Sequence, residues 1–331
     1  MSSQEREVLL VLGSPGPDHL SRLRAVADDL ELVVGETTEQ IADAAPRAAI
    51  VLCFWGARDL LREVLAVATR LRWIHIMSAG INHLTSPELL QSPATITNGK
   101  GVFSASLGEW VLGAILYFAK DFRRLIKAQS EGLWEPFDVV EVAGQTVGIL
   151  GYGDIGKAVA VRVHPLGMRV VGLTRSGSGT GPAGRPAVDD PAEQILGPHD
   201  RIQLIEQSDY VILTAPLTPD TRGMVGEAEL AVMKPDSVLV NIGRGPLVDE
   251  EALIRALSEG KIKGAALDVF HREPLPPDHP LYRLDNVLLS PHSADRTPDF
   301  IEKALQLFVD NLGRYRRGEE LVNVIDKSAG Y

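Results

Sequence analysis

The sequence predicts an α/β protein with two doubly wound parallel sheets, and three observations carry that reading. Short apolar runs alternate with amphipathic segments along most of the chain, as strands buried on both faces do when helices cover them. One such unit, residues 146–176, reads strand, glycine turn, helix, strand: TVGILGYGDIGKAVAVRVHPLGMRVVGLTRS. The chain's 331 residues exceed what one core ordinarily holds, so two domains are expected.

The turn in that unit is Gly151-Tyr152-Gly153-Asp154-Ile155-Gly156, a G-x-G-x-x-G. Gly151 permits the tight turn, Gly153 lets the backbone approach a pyrophosphate, and Gly156 lets the helix pack close on the strand. The helix that follows offers free N–H groups and the positive end of its dipole to phosphates. Ile155, Ala158, Val159 and Val163 give it an apolar face. A glycine-rich turn alone is weak evidence. Here strand, turn, helix and strand come in order and at the right lengths, so a Rossmann domain with a dinucleotide site is expected.

Hydrophobic residues make up 45% of the chain, as in an ordinary globular protein. The net charge of −11 argues against nucleic acid or an anionic membrane as partner. It does not bear on a small anionic substrate, which responds to local charge. The single cysteine, Cys53, excludes an internal disulfide and fits a reducing compartment. It lies in the apolar run 48–54 and reads as a small buried hydrophobe. The N-terminal MSSQEREVLL lacks a signal-peptide layout, and the longest apolar run, residues 110–119, is too short to span a bilayer. A cytoplasmic protein is expected.

In chain order, strands are expected at 7–12, 32–34, 48–53, 73–76 and 95–97, with helices between them at sites such as 20–30 and 60–71. This first unit ends near residue 100. A long helix then starts at Ser104 or Ser106, where Ser106-x-x-Glu109 has the form of a capping box. Leu107, Val111, Ile115 and Phe118 make its apolar stripe, which Phe122 and Ile126 extend. After the glycine turn, strands are expected at 169–173, 210–214, 237–242, 264–268 and 287–290. With the strand before the turn these make six, the number in a full doubly wound dinucleotide fold. Residues 177–186, rich in glycine and proline, read as a surface loop. A final helix after Pro298 carries Ile301, Leu305, Phe308 and Leu312 and is expected to pack back on the N-terminal domain.

Ligands of open α/β sheets sit beyond the carboxyl ends of the strands. After strand 237–242 comes Gly243-Arg244-Gly245, after 264–268 comes a loop with Glu273, and after 287–290 comes Pro291-His292. An arginine, a carboxylate and a histidine therefore converge on one rim. That set suits chemistry on a carbonyl beside a carboxylate. Arginine binds the carboxylate and polarises the ketone, histidine gives or takes the proton, and the acid keeps the histidine protonated. The other seven histidines lack this placement, although His271 and His279 flank the Glu273 loop. No histidine pair has the i, i+4 spacing of a helical zinc site, so no metal is predicted.

These motifs resemble those of the D-isomer-specific 2-hydroxyacid dehydrogenases, the group that includes glyoxylate/hydroxypyruvate reductases. The matching stretches are GILGYGDIG at 148–156, TAPLTPDTRGMVG at 214–226, VNIGRGPLVDEEAL at 240–253, AALDVFHREPLP at 265–276 and LLSPHSA at 288–294. MSAGINHL at 77–84 and GVFSASLGEWVL at 101–112 match in the N-terminal part.

The resemblance implies a dinucleotide-binding domain at 104–295 and a flavodoxin-like substrate domain formed by 1–103 and 296–331. It implies that Arg244 binds the 2-oxo acid and that Glu273 pairs with His292, the general acid of reduction. Amides of Ser78, Ala79, Gly80 and Ile81 would hold the substrate carboxylate, with Asn98 and Gly99 near the nicotinamide. Besides the three glycines, Asp154, Ile155, Thr214, Ala215, Pro216, Thr221, Ile242, Gly243, Asp268 and Ala294 take cofactor-contact positions. Trp55 and Trp134 are candidates for lining the pocket, against the alternative that each packs in an aromatic core. A homodimer with the long helix in its interface is also implied.

Cofactor choice follows from the end of the second strand. NAD-selective folds place an Asp or Glu about 20 residues past the glycine turn, on the ribose 2′-hydroxyl. This chain has neither between Asp154 and Asp189, and offers Thr174, Arg175 and Ser176 instead. NADP(H) is therefore the expected cofactor, with NAD(H) the alternative, and the loop after Ser176 is a candidate to fold around the 2′-phosphate. The expected activity is reduction of short 2-oxo acids of the glyoxylate/hydroxypyruvate type. The alternatives are a D-lactate- or phenylpyruvate-type dehydrogenase and a dinucleotide-sensing binding protein on the same fold.

Overall fold

The structure is a computed structural model and describes residues 6–177 and 189–329. The rest of the expected glycine- and proline-rich loop, residues 178–186, lies outside the described residues. The chain divides into two compact units, one formed by Met1–Phe103 with Thr297–Tyr331, the other by Ser104–Arg296.

The first unit is a parallel sheet of β1 (Val8–Leu12), β2 (Glu31–Gly35), β3 (Ala48–Cys53), β4 (Trp73–Ile76) and β5 (Thr95–Asn98). Its order, β2-β1-β3-β4-β5, is that of a flavodoxin-like fold. The continuous apolar runs of β1 and β3 are buried throughout, because helices cover both faces. Those helices are α1 (Pro17–Val26), α2 (Thr38–Ile41), α3 (Arg58–Val67), α4 (Pro87–Gln91) and the chain's last helix, α11 (Phe300–Arg316). The α11 helix seats Phe308 on Trp73, ring centroids 5.1 Å apart. Trp73 Nε1 in turn donates to Thr97 Oγ1 at 2.8 Å.

Among the described residues, the second unit holds seven parallel strands: β6 (Thr146–Leu150), β7 (Arg169–Leu173), β8 (Gln194–Leu196), β9 (Tyr210–Leu213), β10 (Val238–Asn241), β11 (Gly264–Leu267) and β12 (Val287–Leu289). They run β12-β11-β10-β9-β6-β7-β8, the Rossmann order with β12 added beyond the sixth strand. The sequence reading of six strands is corrected to seven. It missed β8, whose three residues are too few to show a periodicity. The helices are α5 (Ser104–Ala119), α6 (Phe122–Glu131), α7 (Asp154–Val163), α8 (Arg201–Gln207), α9 (Glu227–Ala231) and α10 (Glu250–Ser258).

Two expectations about α5 are also corrected. The helix begins at Ser104, so Ser106 lies inside it and caps nothing. Its Oγ donates instead to Ala294 O at 2.6 Å, while Glu109 pairs with Arg162 at 3.3 Å. The apolar stripe also ends with the helix. Leu107, Val111, Ile115 and Phe118 are buried, but Asp121, at φ 48°, breaks the chain's direction and caps a separate α6. Phe122 and Ile126 consequently face outward, and Ile126 is 64% exposed.

Glycines decide how closely α5 and α7 approach. A Cβ on Gly108 would lie 2.8 Å from Ala158 O of α7, whereas one on Gly113 would meet nothing within 4 Å. Gly108→Ala is therefore expected to destabilise by roughly 1–3 kcal/mol through overpacking. Gly113→Ala is expected to stabilise by about 0.5–1 kcal/mol through helix propensity. Opposite shifts of the denaturation midpoint check the pair; a shift of the same sign in both would show that contact with α7 does not set the cost.

Candidate active site

The glycine turn hangs on the end of the neighbouring strand. Gly151 N and Tyr152 N both donate to Leu173 O, at 3.1 and 2.8 Å. Gly151 has φ 103°, and a Cβ there would lie 2.5 Å from Ala215 N, so glycine is required on both counts. Thr214 Oγ1 donates to Gly151 O at 2.6 Å and ties β9's exit to the turn. Gly156 lies against Ile149 and Gly151 O, and a Cβ on Gly153 would meet nothing within 4 Å. The α7 helix starts at Asp154 with no side-chain cap from Gly153. An uncapped helix start behind an open glycine is what a pyrophosphate needs, so these residues fit a dinucleotide.

The other cofactor candidates ring the same strand ends. Ala215, Ile242 and Ala294 are buried beside them. The Thr221 hydroxyl is committed inside its own loop, donating to Pro216 O at 2.6 Å and accepting from Thr218 N at 2.8 Å. Asp154 accepts from Ser104 Oγ. At the end of β7, Thr174 Oγ1 is buried without a partner among the described residues, and Arg175 and Ser176 are exposed.

Arg244, Glu273 and His292 follow β10, β11 and β12; a hydrogen bond joins the last two, and Arg244 acts on Glu273 through its charge. Asn241 shapes the first turn, accepting from Gly243 N at 3.1 Å and donating to Arg244 O at 3.0 Å. Arg244 Nη1 donates to Gly243 O at 2.7 Å. Glu273 Oε1 accepts from Phe270 N at 2.9 Å, and its Oε2 lies 2.7 Å from His292 Nδ1. His292 has φ 52°, a conformation few side chains adopt. Asp268, 1% exposed, holds it there. Its Oδ1 accepts from Ser290 Oγ at 2.5 Å, Ser293 N at 2.9 Å and Ala294 N at 3.1 Å.

These contacts set the charges. The hydrogen bond to Glu273 raises the His292 pKa above its ordinary value; burial opposes, and Glu273 and Asp268 assist through their charges. Burial would raise the Glu273 carboxyl, but the bonds from His292 and Phe270 N and the charges of His292 and Arg244 hold it lowered. Burial lowers the Arg244 pKa against the pull of Glu273 and Asp295, leaving a guanidinium that stays cationic. Asp295 itself is raised by burial, opposed first by His292. Since His292 Nδ1 faces a carboxylate, it carries a proton, and Nε2 is the nitrogen left to exchange one with a bound molecule.

In the first unit, carbonyls of the turn after β4 all find acceptor roles. Ser78 O takes Gly99 N at 3.0 Å, Ala79 O takes Asn98 Nδ2 at 2.6 Å, Gly80 O takes Ser78 Oγ at 2.9 Å and Ile81 O takes Leu84 N at 2.8 Å. Gly99 is required, because a Cβ there would lie 2.3 Å from Met77 O. Trp55 is 39% exposed and meets Phe300 edge-on at 5.4 Å, outside the core. Trp134, 94% exposed, is corrected on one reading: it packs in no core.

Sequence reasoning did not single out Asn241, Ser290 or Asp295. Asn241 stands in the VNIGRG stretch and Ser290 at the end of β12, yet neither has a chemistry that marks it. Their partners, Gly243 N with Arg244 O and Asp268, are visible only in three dimensions.

Comparison with known proteins agrees with this geometry. Residues 112–294, more than half the chain, match the family described as D-isomer specific 2-hydroxyacid dehydrogenase, NAD binding domain. A glyoxylate reductase of Korarchaeum cryptofilum is 35% identical over 281 residues, covering 80% of this chain and 79% of the relative. The chain also spans 59% of the length of a Methanocaldococcus jannaschii D-3-phosphoglycerate dehydrogenase, at 29% identity. Among solved structures, a D-isomer specific 2-hydroxyacid dehydrogenase of Xanthobacter autotrophicus Py2, in complex with NADPH and MES, superposes with a TM-score of 0.85 at 29% identity. The match covers 98% of this chain and 100% of that one. An NADPH-dependent glyoxylate/hydroxypyruvate reductase of Sinorhizobium meliloti, in complex with NADP and sulfate, gives 0.81 at 25% identity, again covering 98% and 100%. With the glycine turn and the strand-end arginine, glutamate and histidine in place, the chain belongs to the D-isomer specific 2-hydroxyacid dehydrogenases, a family of NAD(P)-dependent oxidoreductases.

Proposed function

We propose that the protein reduces short 2-oxo acids of the glyoxylate/hydroxypyruvate type to D-2-hydroxy acids, using NADPH in preference to NADH. The observation that carries the reading is the Glu273–His292 pair at 2.7 Å, with Arg244 on the adjacent strand end. In this reading residues 104–295 form the dinucleotide-binding domain, and residues 1–103 with 296–331 form the substrate domain. The amides at Ser78, Ala79, Gly80 and Ile81 hold the substrate carboxylate, and Arg244 binds the oxo acid and polarises its ketone. The bound nicotinamide supplies the hydride. His292 Nε2 delivers the proton to the ketone oxygen, and Glu273 stabilises the imidazolium beforehand and keeps its orientation. In the reverse direction, neutral His292 takes the proton back.

Cofactor preference rests on the end of β7. The sequence has no acid between Asp154 and Asp189 to repel a 2′-phosphate; Arg175 and Ser176 are exposed, and the Thr174 hydroxyl has no partner among the described residues. The protein is also proposed to be a homodimer. The α5 stripe is buried within its own unit, so the interface moves to α6 and the segment after it. Leu125, Ile126, Leu133, Trp134 and Val139 all stand exposed there, a run of apolar side chains that a partner copy would cover. Among the described residues no helix is long and apolar enough to cross a membrane. The buried, unpaired Cys53 suits a reducing compartment, and the cytoplasm is the proposed location.

Cofactor oxidation followed with a panel of 2-oxo acids tests the activity; turnover on none of them refutes it, and a preference for pyruvate or phenylpyruvate moves the substrate class. His292→Ala is expected to lower kcat for reduction by about 10²–10⁴-fold with cofactor affinity unchanged. Reduction consumes the imidazolium proton, so its rate holds below the raised His292 pKa and falls as pH climbs through it. Glu273→Gln removes the partner that raises that pKa, and the fall is expected to begin at lower pH. A pH profile identical to the wild type's would uncouple the two side chains.

Arg175→Ala is expected to weaken NADPH binding by roughly 1.5–3 kcal/mol and to leave NADH nearly unchanged. Comparison of kcat/KM for both cofactors checks it, and equal losses would mean that Arg175 does not read the 2′-phosphate. Light scattering is expected to give a dimer at micromolar concentration and a monomer for Ile126→Asp with Trp134→Ser; a dimer in the double variant would put the interface elsewhere.

A further inference from the structure

We propose that Glu250 is a positioning residue for Glu273: one carboxylate that holds both ends of the loop carrying this acid to His292, and ties the loop to the segment bearing Arg244. The proposal rests on the catalytic reading of the Glu273–His292 pair. Glu250 is the first residue of α10, in the stretch that follows the Arg244 turn. Its neighbour Asp249 caps the helix, accepting from Ala252 N at 3.0 Å. Glu250 is thereby relieved of capping and reaches across to the loop after β11. Its Oε2 accepts from His271 N at 3.4 Å, and its Oε1 lies 3.3 Å from His279 Nε2. The two positions bracket Glu273.

The imidazole protons are fixed by their partners. His279 Nδ1 accepts from Leu281 N at 3.4 Å, so that nitrogen is unprotonated and the ring proton sits on Nε2, facing Glu250. His271 Nε2 lies 2.8 Å from Val248 O, a group that only accepts, so His271 also donates through Nε2. Both histidines thus fasten the loop to residues 248–250, one through a carbonyl and one through the carboxylate. The glycine at 245 permits this closeness, since a Cβ there would lie 2.0 Å from Phe270 C and 2.5 Å from His271 N. Within the fastened loop, Phe270 N then orients Glu273 Oε1, and the remaining oxygen meets His292.

Glu273 needs such help. Its side chain is 36% exposed and His292's is 42% exposed, so solvent competes for the hydrogen bond and the loop backbone must supply the placement. The Glu250 and His279 side chains are only 20% and 17% exposed, where a charge-assisted bond is better protected. Solvent still reaches both, so loss of Glu250 is expected to loosen the loop without unfolding the unit.

Glu250→Ala and Glu250→Gln test this, with three readouts: the NMR titration of the His292 ring, the kinetics with NADPH and a 2-oxo acid, and thermal melting. In Glu250→Ala the His292 midpoint is expected to move down, toward that of Glu273→Gln, and kcat to fall by about 10²-fold, as misplacement near the reacting groups does. Cofactor affinity is expected to stay unchanged. Glu250→Gln, with one carbonyl oxygen for two donors, is expected to fall between, and it stands in should the alanine variant not fold. A lower melting temperature with the His292 midpoint and kcat both unmoved would make Glu250 a structural tie only and overturn the proposal. A wild-type protein that reduces no 2-oxo acid would refute the proposed activity, while the His292 titration would still decide the role of Glu250.

Discussion

The hydrogen bond between Glu273 Oε2 and His292 Nδ1, 2.7 Å long, is the contact that the architecture of the second unit serves. Neither side chain reaches the other from a regular strand. His292 needs φ 52°, an unfavourable backbone that persists only where its surroundings impose it. Asp268 imposes it, with three donors from the β12 exit gathered on one oxygen. Burying that carboxylate is costly and raises its pKa, and only the three hydrogen bonds and the nearby His292 charge offset the cost. A buried acid away from the reacting groups is thus the condition for an exposed acid beside them.

Parallel topology explains why these groups lie together at all. Strands β6, β9, β10, β11 and β12 all deliver their exits to one edge of the sheet, so each loop adds a residue to the same rim. Close approach of successive loops then demands glycine. Gly151 lies against the Thr214–Ala215 backbone and Gly245 against the Phe270–His271 backbone, each too near for a Cβ. The G-x-G-x-x-G turn and the G-R-G turn obey one rule: backbone packs on backbone where a Cβ has no room.

The same rule accounts for what the sequence discloses. Buried strands such as Val8–Leu12 and functional residues after strand ends leave local signatures, namely an apolar run or a charged residue among glycines. Both domains' sheets and the convergence of Arg244, Glu273 and His292 were legible on that basis. Features decided by tertiary partners left none. The β8 strand is three residues that pair only with β7. Ser106-x-x-Glu109 has the spacing of a capping box, but the helix already starts at Ser104, so the motif falls inside it. The stripe through Phe118 continues in sequence to Ile126, yet Asp121 in a left-handed conformation turns the chain between them. Trp134 reads as core by hydrophobicity alone, although nothing in its own unit covers it.

Charge around His292 shows how the site remains ready for an anion. Three carboxylates, Glu273, Asp268 and Asp295, act on one imidazole, and one guanidinium opposes them. The charge of Arg244 interacts with Glu273 and Asp295, the latter partly buried and raised in pKa. In the proposed reading, a 2-oxo acid bound at Arg244 would bring a further negative charge and draw on the same guanidinium. It would thereby weaken the hold of Arg244 on the two acids and leave Glu273 more fully engaged with His292. A stronger Glu273–His292 interaction favours the imidazolium. By this coupling, the proposed substrate anion would raise the proton affinity of the group proposed to protonate its ketone, and the proton would stay on His292 until the oxygen it is meant for develops charge.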